Sequence, residues 1–373
     1  MINNYVGKPG MLREVNTAAV EQLLYREGPL TKPELSKRTG LSLPTVSKLI
    51  DELEASGRVQ KAGLAAGKPG RKAMLYETNR DLGTFIALFY RRGQYWGRIA
   101  DIIGQTIYEQ TFPIDTASAE SAFETTVRAI DALTERAQAK VQCIGLGVPG
   151  VVLPNGRLMG IPKIAVWEGF PLQKRLEARY QAEICMANDV KLSALGYYHA
   201  HVSDKFENIV YIYIGNGLGS GIIINGRLYR GSASFSGELG FMAPLQGEVP
   251  AEDFTKHGGY LETLLGRFAC SAPESDVWEI TDPAERESLV AILASIASNH
   301  AALLNPDAII FGGEAMSEPL IPDIKRLMAY YTPPESMPRI LCDRSATSGI
   351  EGLILACRGE VTLHMQLIQN QGV

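Results

Sequence analysis

Apolar positions recur at helical spacing near the start of the chain. From Asn16 to Glu27 (NTAAVEQLLYRE), Ala19, Val20, Leu23 and Leu24 fall on one face, as in an amphipathic helix. Gly28-Pro29 closes it. Thr31 followed by Glu34 reads as a capping box for a short helix, KPELSKR, which stops at Thr39-Gly40. Ser42 then caps a third helix whose stripe is Val46, Leu49, Ile50 and Leu53, and Gly57 ends it. Helix, short helix, glycine turn and helix is the order of a helix-turn-helix. The following RVQKAGLAAGKPGRKAMLYET reads as two strands about a glycine-rich loop, so residues 12–78 predict a winged helix-turn-helix.

From about Asp81 the pattern changes. Strand-like runs (TFIALFY, CIGLGVPGVV, NIVYIYIG, GSGIIING, DAIIFGG) alternate with helical stretches at Ser118–Lys140, Leu172–Tyr180 and Leu289–Leu304, with a last helix at Glu351–Glu360. Such alternation predicts an α/β architecture. The two segments divide the chain into domains at 1–80 and 81–373.

Composition sharpens this picture. The chain has 373 residues, 46% apolar and 21% charged, ample for packed cores and unlike a disordered polymer. No uninterrupted apolar run approaches the roughly 18–20 residues of a membrane helix, and the N-terminus lacks the apolar core of a secretory signal. No membrane insertion is expected. Cys143, Cys185, Cys270, Cys342 and Cys357 are scattered, with no CxxC pair, which predicts reduced thiols in a cytoplasm rather than a disulfide framework. The net charge of −5 hides an asymmetry: residues 1–80 carry 13 Lys and Arg against 8 Asp and Glu, and the remainder 23 against 33. A basic head on an acidic body points to an anionic partner for the head.

The start of a third helix in this arrangement enters the major groove. The candidate DNA contacts there are Ser42, Pro44, Thr45, Ser47 and Lys48, whose hydroxyls and cation can reach phosphates or base edges. The wing adds Arg58, Lys68, Arg71 and Lys72, and its compact basic loop Gly67–Lys72 suits a narrow minor groove. A solvated three-helix unit with a basic hairpin tip is the alternative.

In the body, motifs follow in order: Gly145-Leu146-Gly147-Val148-Pro149-Gly150, Trp167, Ala187-Asn188-Asp189, the glycine-rich Gly215–Gly221, a hairpin signal at Asn225-Gly226, Gly237-Glu238-Leu239-Gly240, Gly259-Tyr260-Leu261-Glu262, Asn305-Pro306-Asp307 and Phe311-Gly312-Gly313. The glycines of 215–221 could let backbone N–H groups approach a phosphate. The ordered set resembles the ROK family (repressors, open reading frames, kinases), and with the winged head it resembles the ROK repressors of sugar metabolism. The resemblance implies a two-lobed, actin-like sugar-kinase fold with a sugar cleft, assembled as a homodimer or homotetramer. It places Asp189 at the kinase base, Asn188 and Glu262 at sugar contacts, and Glu238 at the Glu of the GExGH sugar motif.

The chain also departs from the family pattern. Where the kinases carry a DxGGT phosphate loop, this chain has Phe89-Tyr90-Arg91-Arg92-Gly93. Phosphoryl transfer needs Mg²⁺-ATP positioned and its charge neutralised, so no catalytic residue and no cofactor are expected. The family's zinc positions read Phe241, Asp253, Thr255 and Tyr260, with one nearby His257, which cannot make a tetrahedral structural site. Lys163 stands where relatives often have Asn; facing the cleft, it would suit an anionic sugar derivative. The expectation is a DNA-binding regulator of carbohydrate genes that binds double-stranded operator DNA and responds to a sugar or sugar derivative. Two alternatives are an ATP-dependent ROK kinase with an appended DNA-binding domain and regulation through a protein partner.

Overall fold

The computed structural model describes residues 9–65, 73–215, 217–243, 259–265, 282–313, 316 and 318–371. These form two compact units. The first contains the described residues up to Thr84 with Ala100–Gln105 and Ala137–Lys140; the second contains the rest.

The first unit is three helices and a small sheet: α1 (Pro9–Glu27), β1 (Leu30–Thr31), α2 (Lys32–Thr39), α3 (Leu43–Ala55), β2 (Val59–Leu64) and β3 (Met74–Thr78). The local chemistry explains each break. The Thr31 hydroxyl accepts from Glu34 N–H while the Glu34 carboxylate accepts from Thr31 N–H at 2.8 Å, the expected capping box. Gly40 takes φ +72°, the left-handed conformation that terminates a helix. Ser42 caps α3 by accepting from Thr45 N–H at 3.3 Å. Val20, Leu24, Leu35, Val46, Ile50 and Tyr76 form a continuous core beneath the sheet order β1-β3-β2. Replacing Ser42 with alanine should cost α3 about 1 kcal/mol, seen as roughly fivefold faster amide exchange across Val46–Ile50; unchanged protection would deny the cap its role. The helix α1 begins seven residues before the expected Asn16.

The second unit holds two five-stranded sheets. The first, in the order β10-β7-β4-β5-β6, uses β4 (Thr84–Arg91), β5 (Gln94–Asp101), β6 (Thr106–Pro113), β7 (Val141–Val148) and β10 (Glu183–Asn188). A small hairpin of β8 (Val151–Val152) and β9 (Leu158–Met159) follows β7. The helices α4 (Ala119–Thr134) and α5 (Leu172–Arg179) cover it, burying Phe123, Ile130, Leu133 and Leu176 with Trp167. The second sheet, β13-β12-β11-β14-β15, comprises β11 (Ile209–Gly215), β12 (Gly217–Ile224), β13 (Arg227–Tyr229), β14 (Ala308–Gly312) and β15 (Arg339–Cys342). Around it lie α6 (Asp189–Tyr197), α7 (Tyr260–Leu265), α8 (Pro283–Leu304), α9 (Ile321–Met328) and α10 (Ser348–Gln371). The helix α8 is long and apolar enough to cross a bilayer by composition, and it packs Leu289, Leu293, Ile296 and Ala297 into this sheet's core.

Several expectations need correction. The helix begun at Ser118 ends at Thr134 instead of Lys140: Leu133 is its last buried apolar residue, and the chain must turn to enter β7. The helix α8 starts at Pro283 instead of Leu289, because Asp282 caps it and Pro283 fits its first turn. The last helix runs Ser348–Gln371 instead of Glu351–Glu360. The run CIGLGVPGVV breaks at Pro149-Gly150, where Gly150 has φ +118° and a side chain would meet Gly160 O at 2.7 Å. Gly215 and Gly217–Gly221 lie in a β-ladder, as the strand-like runs on either side predict: Gly215 pairs Gly217, and Tyr213 pairs Gly219. A Cβ at Gly219 would meet Val190 at 3.2 Å and one at Gly221 would meet Ala194 at 2.2 Å. These glycines bring α6 close onto β12.

The helices α6 and α10 cross even more closely. A Cβ at Gly196 would lie 1.9 Å from Ser348 O, and one at Gly352 would lie 1.9 Å from Leu192 O. Through α6 the chain leaves the first sheet for the second, and α10 brings it back against β7 and β10. This crossing joins the two sheets, and only glycine fits on each side.

Candidate functional site

On the head, the buried stripe of α3 leaves its first turns facing outward. Ser42, Pro44 and Lys48 are exposed, and Thr45 and Ser47 are partly exposed. Their hydroxyls lie at the helix N-terminus, whose partial positive charge favours phosphate. Ser42 Oγ and Thr45 Oγ1 are 2.7 Å apart, so the cap also positions the second hydroxyl. Arg58 is engaged differently from these residues. Its guanidinium pairs with Glu21 Oε2 at 2.6 Å and ties the base of the wing to α1. Burial raises the Glu21 carboxyl above its ordinary range, partly offset by Arg58. Lys68, Arg71 and Lys72 lie outside the described residues.

In the body, β10 delivers Asn188 to the start of α6. It is buried and uses both ends of its amide: Oδ1 accepts from Lys191 N–H, and Nδ2 donates to Gly150 O, each at 3.0 Å. Asp189 follows at the first helical position and accepts from Val190 N–H at 2.8 Å. Two residues on lies Lys191, only 5% exposed. Its ammonium donates to Ser234 O at 2.5 Å and to Glu238 Oε1 at 3.4 Å. Burial lowers the Lys191 pKa and raises that of Glu238, and each partner opposes the other's shift. Arg230 adds a second positive charge near Lys191, and Asp189 a negative one.

Glycine geometry fixes Glu238. Gly237 has φ +85°, and its carbonyl accepts from Ser220 N–H at 2.6 Å, so the segment is pinned to β12. Gly259, at φ +103°, presses against Gly240 and docks α7, where Glu262 resides. A Cβ at Gly217 would lie 3.7 Å from Glu262 Oε1, which places this acid beside the β11–β12 turn. The structure therefore joins Asn188, Asp189 and Glu238 around Lys191 and sets Glu262 at the adjoining turn. Lys163 lies in the short 3₁₀ segment Pro162–Trp167, with only its backbone described. Trp167 is fully buried, and its indole N–H has no acceptor among the described residues.

Sequence reasoning missed Lys191. The signal was a lysine two residues past Asn188-Asp189 on a helix whose other positions are apolar or small, but its partner lies 47 residues away. It also missed the form of the Phe89–Gly93 segment. The turn Arg92-Gly93 is a two-residue hairpin with φ +52° and +76°, the twist expected of a tight β-hairpin. Phe89 wedges its ring between Gly147 and Gly349, where added Cβ atoms would lie 2.5 and 2.3 Å from it. Of the zinc positions expected to lack ligands, Asp253 and Thr255 lie outside the described residues, as does the nearby His257.

Comparison with known proteins agrees with this geometry. Residues 97–258 match the model of the ROK family, and residues 22–60 match a winged helix-turn-helix DNA-binding model. A putative xylose repressor of Caldicellulosiruptor sp. (strain Rt8B.4) is 28% identical over 242 residues, covering 64% of this chain and 60% of that protein. The xylose repressor of Bacillus subtilis (strain 168) is 26% identical, covering 62% and 61%. The DNA-binding transcriptional dual regulator NagC of Escherichia coli (strain K12) is 25% identical, covering 71% and 65%. The chain thus spans about 60% of the length of the first of these relatives. In fold, it matches a ROK family transcriptional regulator described as a homologue of the E. coli MLC protein, with TM-score 0.73, 21% identity and coverage of 96% and 99%. It also matches a ROK hexokinase from Thermus thermophilus, with TM-score 0.61, 20% identity and coverage of 75% and 99%. Residues 97–258 thus carry the ROK-family pattern and follow a winged helix-turn-helix segment at residues 22–60.

Proposed function

We propose that the protein is a transcriptional repressor of carbohydrate-metabolism genes that does not phosphorylate its ligand. Residues 1–80 bind double-stranded operator DNA, and residues 81–373 sense a sugar or sugar derivative and assemble the chain as a homodimer or homotetramer in the cytoplasm. The observation that carries this reading is the outward face of α3, a capped helix N-terminus with hydroxyls and Lys48 exposed on a fully packed head. The repressor names of the relatives support it. Against the kinase alternative stands Phe89, an aromatic wedge at the place of the family's metal-side carboxylate. Asp189 and Glu238 then hold sugar hydroxyls by hydrogen bonds without a proton transfer following.

Operator binding is tested by fluorescence anisotropy on DNA from the protein's own upstream region, titrated across salt. Lys48→Ala should weaken binding and lower the slope of log K against log[salt] by about one per half-site, as one phosphate contact is lost. An unchanged affinity and slope would remove Lys48 from the interface. Turnover of ATP with xylose, glucose or N-acetylglucosamine would support the kinase instead.

A further inference from the structure

A cavity of about 730 Å³, with neither Asn188 nor Glu238 in its lining, lies beside the edge strand β15. That volume lies within the range of small-molecule sites. One wall comes from the end of α6, where the helix loosens into a π-turn over Tyr198–Val202. Such turns are rare and occur often at functional sites. The opposite wall is the segment Leu341–Ser345, which leads into α10. The cavity is therefore framed by the far end of α6 and the approach to α10, the two helices of the glycine crossing.

The chemistry of the lining is one-sided. Lys205, Arg339 and His201 are exposed at the rim and form no ion pair among the described residues. Arg344 is paired with Glu318. The one acid in the lining, Asp343, is buried and already satisfied. It accepts from Tyr211 Oη and Ser348 Oγ at 2.9 Å each and from Ser345 N–H at 2.7 Å. Its charge is spent inside the fold. Tyr197, tilted against His201 at 4.8 Å between centroids, and Phe206 provide an aromatic part of the lining.

We propose that this cavity is a second ligand site, separate from the sugar-contacting cluster, that takes a small organic phosphate with an apolar or ring-shaped body. Arg339 offers a planar fork that matches phosphate geometry, and Lys205 a point charge. The aromatic part of the lining receives the body. The site does not depend on the identity of the sugar effector or on DNA binding.

Isothermal titration calorimetry of the full chain tests this with three probes: phenyl phosphate, inorganic phosphate and phenol. Saturable binding is expected for phenyl phosphate, weaker binding for inorganic phosphate and none for phenol. The double variant Lys205→Gln, Arg339→Gln should weaken phenyl phosphate binding by at least about tenfold. Asp189→Asn should leave it unchanged. No saturable heat from phenyl phosphate would overturn the proposal. So would equal affinity in the double variant, or loss of binding in Asp189→Asn, which would put the phosphate in the sugar cluster. If the double variant instead changes the sedimenting mass of the protein, this face joins copies of the chain and the proposal also fails.

Discussion

Valine in place of Gly352 is expected to destabilise the body by about 3 kcal/mol, the upper range for forced overpacking. A Cβ there would lie 1.9 Å from the Leu192 carbonyl and 3.0 Å from the Gly196 nitrogen. Both obstacles are backbone, so no side chain can swing aside. The helices must separate, and α6 draws β12 with it through Gly219 and Gly221. For a body of this size the loss amounts to about 10 °C in Tm. The same substitution at Gly359 should be nearly neutral, because nothing lies within 4 Å of a Cβ there. Calorimetry of both variants checks the pair. A Tm for Gly352→Val within about 2 °C of the parent, less than about 1 kcal/mol, would mean that the crossing yields easily.

Lys191→Met is the second large effect. Methionine keeps the length of the side chain but leaves the Glu238 carboxylate, mostly buried, without its cation. Removing one partner of such a pair costs about 2–3 kcal/mol, near the lower end for buried pairs because Glu238 keeps some solvent. The loss has a pH signature. Burial already raises the Glu238 pKa, and Lys191 is what holds the rise in check. Without Lys191 the folded-state pKa climbs further. A carboxyl with a raised folded pKa contributes fully below its unfolded value of 4.5 and loses that contribution as pH rises through the folded value. The variant should therefore approach the parent's stability near pH 5 and fall furthest below it near pH 8. Urea unfolding at both ends of that range measures it. A deficit that is constant with pH would show that Lys191 acts through packing alone. Arg230 and Asp189 also face Lys191, and neither changes in the variant.

The head was legible because its determinants are local. Thr31 with Glu34, Gly40 and Ser42 are caps acting within a few residues of themselves, and all four behave as their spacing implies. The two sheets were also legible as apolar runs. What escaped was chemistry closed over long separations. Arg58 reads as a free cation of the wing, yet its partner Glu21 lies 37 residues back on α1. The bare faces of Gly219 and Gly221 receive Val190 and Ala194, a packing demand that the spacing of the glycines does not reveal. Gly196 and Gly352 carry no motif at all, and their need for glycine arises only when α6 meets α10. In the cluster of Asn188, Asp189 and Glu238 the acids stand out in the motif order, whereas Lys191 was hidden because its acceptors, Ser234 and Glu238, lie on another segment.

The central claim is that one chain binds an operator through its head and releases it when its body takes up a sugar. Any tenfold change in operator affinity requires about 1.4 kcal/mol of differential effector binding between two states of the protein. Fluorescence anisotropy on the upstream DNA, at fixed salt and with a panel of sugars, sugar phosphates and sugar acids, measures this directly. The account predicts tight, competitor-resistant binding that one member of the panel weakens at least about tenfold, with that response lost in Asp189→Ala while operator affinity without ligand persists. Binding no tighter than to unrelated DNA, together with sugar-dependent ATP turnover, would contradict it.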